Sequence, residues 1–132
     1  MADRALSGIK VLDFTQHVAG PYCTKLMADQ GADVIKVERP GTGDLARRLG
    51  PYPDDVPHPE RSGLFLHLNT NKRSITLDLN THAGRNIARK LAAESDVVVE
   101  SFRPGTMESF GLDYQSLKSV NQNLVMTSIS DF

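Results

Sequence analysis

GADVIKVERPGTGD, Gly31 to Asp44, is the stretch on which the fold turns. Gly31 reads as a helix stop, since a residue without a Cβ takes the left-handed conformation that ends helices at little cost. Asp33 to Glu38 (DVIKVE) reads as a buried strand. Glu38 and Arg39 then stand at the strand's end, directly before a loop of glycine and proline. In open α/β sheets the C-terminal lip of a strand is where ligands sit. The question is which ligand that lip serves.

The pattern extends in both directions. Upstream, Ile9 to Thr15 (IKVLDFT) is a short apolar run rich in strand formers, and Pro21 to Gln30 is a helix between Gly20-Pro21 and Gly31. Downstream, Ser62 to Leu68 is a short helix capped by Ser62, and Arg73 to Leu79 (RSITLDL) alternates as a third strand. Thr81 to Glu94 is a helix with Thr81 as N-cap and Ile87, Ala88 and Leu91 on one face. Asp96 to Phe102 is a nearly continuous apolar strand, Tyr114 to Val120 a helix and Leu124 to Ile129 the last strand. Strands alternating with helices mean βαβ units. The expected fold is α/β: a doubly wound, mostly parallel, Rossmann-like sheet with helices on both faces, formed by residues 1–132 as one domain. Arg39 to Arg61 holds five of the seven prolines and is too long for an ordinary connection, so it reads as functional or mobile.

The formal net charge of -1 argues for no nucleic-acid or membrane-surface partner. No apolar run approaches the ~20 residues of a membrane helix. The start Met-Ala-Asp-Arg has no apolar segment of a secretory signal behind it. Cys23 is the single cysteine, which fits a reducing compartment, and inside an amphipathic helix it reads as a small buried apolar residue. These features make a soluble cytoplasmic protein the expectation.

Chemistry on such a sheet collects at the strand ends. After strand one come Thr15, Gln16, His17, Val18 and Ala19; after strand two, Glu38 and Arg39; after strand four, Ser101, Phe102 and Arg103; after strand five, Ser130, Asp131 and Phe132. Asn69 to Arg73 precedes strand three and belongs to the opposite edge unless the short helix folds it back. Arg39, Lys72 with Arg73, and Arg103 supply cations, and arginine offers a planar fork suited to phosphate oxygens. Taken singly, each is an ordinary surface charge. His17 reads as a packing or hydrogen-bonding residue more readily than as a base, and Asp13 as structural. No GxGxxG follows the first strand, no Walker A motif occurs, and no cluster has metal-ligand spacing. The pattern alone reads as an anion site, with a nucleotide as one candidate.

Five strings in order are more specific: VLDFT with AGP after it, LMADQGADVIKVERPGTGD, NTNKRSITLDL, DVVVESFRPGTMESFGL and MTSISDF. Together they resemble the family III CoA transferases, the CaiB/BaiF group that includes formyl-CoA transferase and α-methylacyl-CoA racemase. The resemblance covers nearly the whole chain. It implies coenzyme A or an acyl-CoA as substrate, a carboxylic acid as acceptor, no prosthetic group and an interlocked homodimer. It assigns Arg39 to the adenine-nucleotide part of CoA, with Leu68, Asn71, Lys72 and Arg73 as further contacts. Ser101, Phe102 and Arg103 line the same groove, Val18 and Ala19 approach the pantetheine arm, and Ser130 marks another lining strand end.

Two departures qualify what carries over. The family's formyl-CoA members have His and Gln just after strand one, where this chain has Gln16-His17-Val18, so these two are supporting polar groups without a transferred catalytic role. The family's nucleophilic Asp is expected beyond Phe132. The resemblance therefore implies an N-terminal part of a longer enzyme, inactive by itself, whose share is to hold CoA. An acyl-CoA racemase of the same family is the nearest alternative; the long prolyl stretch favours a transferase. A receiver-type signalling domain is the alternative of another class. It requires an acidic cluster after strand one and a Lys after strand five, where this chain has Asp13 alone and Ser130-Asp131.

Overall fold

In the computed structural model, which describes residues 3–130, five short strands lie in one sheet. They are β1 (Lys10–Asp13), β2 (Asp33–Glu38), β3 (Arg73–Thr76), β4 (Val97–Glu100) and β5 (Val125–Ser128). The helices between them are α1 (Ala19–Asp29), α2 (Gly63–Leu68), α3 (His82–Ala93), α4 (Thr106–Phe110) and α5 (Tyr114–Lys118). The strand order is β3-β2-β1-β4-β5 and every pairing is parallel. This is the doubly wound arrangement the alternation of periods predicts.

The strand period of two divides the sheet into faces of different chemistry. Leu12, Phe14, Val37 and Val98 meet Ala88 and Ala92 of α3, Met107 of α4 and Leu117 of α5 on one face. Burying one such Leu, Val or Phe side chain stabilises by about 1.5–3 kcal/mol. On the other face Val11, Val34 and Val99 pack against Ala28 of α1 and Ala32. That face turns polar toward the strand ends, where Asp13, Lys36 and Glu38 are all buried. This second face is thus apolar at Val11 and Val34 and ionic at the ends of β1 and β2.

Local signals explain the element ends. Ser62 Oγ accepts the Phe65 amide hydrogen at 3.1 Å and Thr81 Oγ1 that of Gly84 at 3.0 Å, so both expected N-caps form. Gly31 has φ 102, and a Cβ there would stand 2.8 Å from Arg4 Cβ, so the helix stop admits no side chain. α1 starts at Ala19, two residues earlier than expected. Pro21 falls in its first turn, where a missing N–H costs nothing. α4 is an element the sequence reading left out, a single turn framed by Gly105 at φ 86 and Gly111 at φ 64. Cys23 is exposed, against the expectation of burial. The buried face of α1 is Gly20, Pro21, Thr24 and Ala28, and Cys23 lies off that stripe.

The prolyl segment is tied to the body. It forms two 3-10 turns, Leu45–Arg48 and Pro53–Asp55. Ser62 Oγ lies 2.8 Å from the Ala46 carbonyl oxygen and 2.6 Å from that of Leu49, fastening the first turn to the start of α2. Among the described residues no helix is long and apolar enough to cross a membrane, and no three His, Cys, Asp or Glu side chains gather as metal ligands would.

Candidate functional site

Strand order reverses between β1 and β4, and a crevice opens outside the C-terminal ends of the strands at such a switch point. Here it is a cleft of about 500 Å³. Gln16, His17, Val18, Ala19 and Gly20 form one wall, Ser101 to Pro104 another, and Ile129 and Ser130 close the β5 side. A smaller hollow of about 60 Å³ shares Gln16 and Phe102 with the cleft and reaches Arg39 and the Leu77–Asn80 segment. The two together run along the sheet's C-terminal edge. Asp131 and Phe132, expected at the β5 end, lie outside the described residues.

The wall after β1 is held from both sides. The Gln16 amide donates to Ser101 Oγ at 3.0 Å, joining it to the β4 loop. The His17 amide donates to Asp44 Oδ1 at 3.0 Å, joining it to the β2 loop. His17 adopts φ 75, a left-handed conformation rare for a residue with a side chain. At the next step α1 begins. Val18 supplies no side-chain cap, so first-turn N–H groups remain without intrahelical acceptors at the cleft wall. Such groups suit a carbonyl or anionic oxygen. Gly20 keeps the turn tight, because a Cβ there would lie 2.2 Å from Thr15 Cβ.

Beneath this wall is a buried ionic layer. Asp13 accepts from the Thr15 amide at 2.8 Å, Thr15 Oγ1 at 2.5 Å and Thr24 Oγ1 at 2.6 Å. Lys36 Nζ donates to the Thr15 carbonyl at 2.8 Å and stands 2.7 Å from Asp44 Oδ2, close enough to pair in charge though off the line of a hydrogen bond. Glu38 accepts from Arg47, from Ser74 Oγ at 2.7 Å and from the Asp44 amide at 2.9 Å. Burial pushes the Glu38 carboxyl up, but these donors outweigh it and hold it at about 2. The expectation that Asp13 is structural agrees with these contacts.

Alternation along the strand sends Glu38 inward to Arg47 and leaves Arg39 exposed on the rim. Arg39 lines the small hollow and Arg103 the large one. Among the described residues neither guanidinium has an ion-pair partner. The carboxylates nearest Arg39 in sequence, Glu38 and Asp44, are taken by Arg47 and Lys36.

The segment before β3 goes elsewhere. Leu68 is buried in α2, and Asn71 donates to Asp29 Oδ1 at 2.7 Å. Lys72 Nζ turns inward to Asp13 Oδ2 at 3.1 Å and the Pro21 carbonyl at 2.8 Å, with its side chain 1% exposed. Burial lowers the Lys72 ammonium to about 8, against the pull of Asp13. Arg73 grips Asp33 at 2.6 Å across the N-terminal ends of β3 and β2. None of these four residues lines either hollow. Gln16, His17, Val18, Ala19, Ser101, Phe102, Arg103 and Ser130 meet at the large one. The sequence reading placed Thr15 at the strand end but missed Asp44, Lys36 and Arg47 as parts of the site's frame. The charge of Lys36 within DVIKVE was the one available signal.

The fold is an α/β domain whose switch-point cleft has uncapped helix donors on one wall and, among the described residues, arginines without ion-pair partners at its rim. The chain belongs to the CoA-transferase family III, whose family model matches residues 6–132. It is 48% identical over 128 residues to the succinyl-CoA:mesaconate CoA-transferase of Haloarcula hispanica, covering 97% of this chain and 32% of that protein. It is 45% identical over 129 residues to the formyl-CoA:oxalate CoA-transferase of Afipia carboxidovorans, covering 98% and 30%. The crystal structure of a CaiB/BaiF family protein from Brucella suis superposes with a TM-score of 0.89 at 41% identity, over 99% of this chain and 34% of that one. The chain therefore spans about a third of the length of the relatives it matches.

Proposed function

We propose that this chain supplies the coenzyme A-holding part of a CoA-transferase that moves CoA from an acyl thioester to a small carboxylic acid. The observation that carries the reading is the cleft after β1 and β4, beside which lies the hollow at Arg39, with Gln16 and Phe102 lining both. In this reading Arg39 takes the phosphorylated adenosine end. The α1 start at Val18 and Ala19 takes the pantetheine arm, and Ser101, Phe102, Arg103 and Ser130 line the route between. Lys72 serves by holding Asp13, and Arg73 by bracing the sheet's far edge. The relatives' named substrates favour small dicarboxylates or their thioesters, and favour transfer over racemisation. A reducing, cytoplasmic setting fits the single exposed thiol of Cys23.

The chemistry rests on an aspartate outside these residues. Its carboxylate attacks the donor thioester carbon, forming a mixed anhydride and releasing CoA thiolate. The thiolate attacks the aspartyl carbonyl, leaving an enzyme thioester and the free donor acid. The acceptor carboxylate attacks that thioester, giving a new anhydride and thiolate, and the thiolate takes the acceptor's acyl group to regenerate the aspartate. The thiolate is released and recaptured twice, so CoA must stay in register throughout. That is the task of this wall, and positioning of this kind accounts for a large share of a barrier. A second copy of the protein as partner accords with the apolar stripe that α1 leaves uncovered.

Calorimetric titration of CoA into the chain tests the reading. Saturable binding that weakens as salt rises is expected, since phosphate contacts at an exposed rim are screened. No binding at any attainable CoA concentration overturns it.

A further inference from the structure

We infer that Asp44 is a positioning residue for the CoA cleft: by accepting the His17 amide hydrogen, it locks the loop after β1 into the left-handed turn that forms the cleft wall. The inference rests on the CoA reading of the cleft and goes beyond it to the loop after β2, which lines no part of the large cleft.

Three observations converge on Asp44. First, its oxygens have separate tasks. Oδ1 accepts from the His17 amide at 3.0 Å and from its own Ala46 amide at 2.8 Å, while Oδ2 faces Lys36 Nζ at 2.7 Å. Second, the same lysine donates to the Thr15 carbonyl at 2.8 Å. The Lys36–Asp44 pair thus grips the loop at Thr15 and again at His17, two residues apart, while Gln16 between them is held from the opposite side by Ser101. Third, His17 sits at φ 75, which a residue with a Cβ holds only where its surroundings impose it. The Asp44 contact is the bond that imposes it, and it acts immediately before Val18 and Ala19, where α1 and its unmatched N–H groups begin.

Asp44 itself is 1% exposed, so it acts through the loop rather than by touching ligand. Its own position is secured by the donation of its amide to Glu38 Oε2 at 2.9 Å. The short connection Gly41 to Gly43 between Arg39 and Asp44 therefore joins a ligand-facing cation to the residue that shapes the neighbouring wall. A ligand seated on both would sense the two loops as one unit.

The test separates the acceptor from the charge. Asp44→Asn keeps an acceptor for His17 and loses the charge opposite Lys36; Asp44→Ala loses both. Each is made in the wild-type chain and with Lys36→Met, which removes the buried cation that would otherwise be left alone. The comparison of Asn with Ala is read in whichever background circular dichroism shows to be folded. Two quantities are measured: hydrogen exchange of the His17 amide, and CoA affinity by calorimetry. Going from Asn to Ala, the His17 amide should exchange at least about tenfold faster and CoA affinity should fall about tenfold. The Asn variant should stay within about threefold of its own background. A folded Ala variant with the Asn variant's affinity and exchange rate overturns the inference. If the wild-type chain binds no CoA, the functional reading fails, and the exchange comparison alone decides whether Asp44 locks the turn.

Discussion

Arg47 grips Glu38 with both arms of its guanidinium, Nε to Oε2 at 2.7 Å and Nη2 to Oε1 at 2.9 Å, while its Cζ lies 3.7 Å from the ring centroid of Phe65. One residue of the prolyl segment thereby fastens that segment to the end of β2 and to α2. Breaking such a buried pair strands a carboxylate, which costs about 3–5 kcal/mol. Arg47→Ala should destabilise the chain by about that amount, and Arg47→Lys by less, because a point charge retains attraction but loses the fork. Denaturant midpoints of the two variants check the order. An Arg47→Ala chain as stable as wild type would show that the pair contributes nothing net.

The same carboxylate predicts an acid limb. The Glu38 carboxyl is held at about 2 in the fold, below its ordinary value of 4.5. A depressed folded pKa contributes stability that is complete above the unfolded value and is lost as pH falls toward the folded one. Stability should therefore decline between about pH 4.5 and 2. Glu38→Gln should flatten part of that decline while lowering stability at neutral pH. Urea midpoints across the range measure both.

Lys72 gives a slope of the same sign at the alkaline end, but its depressed ammonium detracts from stability at neutral pH where Glu38 adds to it. Its ammonium loses its proton near 8 in the fold and near 10.5 when unfolded, so between those values the unfolded chain binds more protons. Stability then rises with pH across that window. The wild type should gain on Lys72→Gln as pH climbs from about 8 to 10. A difference between the two that is constant with pH would mean that Lys72 is not depressed in the fold.

Much of this molecule was legible because its signals are local. Gly31 as a stop, Ser62 and Thr81 as caps, and the strand-forming runs at Val34–Val37 and Val97–Val99 need only neighbours within a turn or a strand. The parallel order followed from the alternation of those pieces. The frame of the site was hidden because its partners are distant in sequence. His17 meets Asp44 across 27 residues and Lys72 meets Asp13 across 59. Nothing in GTGD says that its Asp will point back at the β1 loop. Lys72 and Arg73 read as a cationic pair, yet adjacent residues entering a strand point to opposite faces, so one is buried under α1 and the other reaches Asp33 on the surface. Cys23 was misplaced for a related reason: an amphipathic period does not say which apolar stripe faces the sheet.

That outer stripe is itself testable. Val18 at the N-cap and Tyr22 and Leu26 of α1 recur every four residues and are each nearly half exposed, with Leu66 of the adjoining α2 also exposed. Contiguous apolar surface of this kind favours association. The chain should self-associate in dilute buffer as its concentration rises, and Tyr22→Glu with Leu26→Lys should shift it toward monomer. Light scattering that finds the wild type monomeric at high concentration would contradict this.

Arg39 carries the sharpest prediction. Glu38 belongs to Arg47 and Asp44 to Lys36, so the two acids that would reduce Arg39 to a surface ion pair are already committed. Its fork is exposed at the end of β2 and lines the hollow that adjoins the large cleft at Gln16 and Phe102. A hydrogen bond to a charged group is worth ~1.5–3 kcal/mol, and tenfold in affinity is about 1.4 kcal/mol. Arg39→Ala should therefore weaken CoA binding by roughly tenfold to a hundredfold. Arg39→Lys should recover part of the loss, because an ammonium supplies charge without the planar pair of donors. The difference between wild type and Arg39→Ala should narrow as salt is raised, since the contact lies at a solvated rim. Titration with dephospho-CoA localises the effect: if Arg39 meets the 3′-phosphate, the substitution should cost far less against this ligand than against CoA. Equal CoA affinities for wild type and Arg39→Ala would make the arginine an ordinary surface charge and move the phosphate contacts to Arg103.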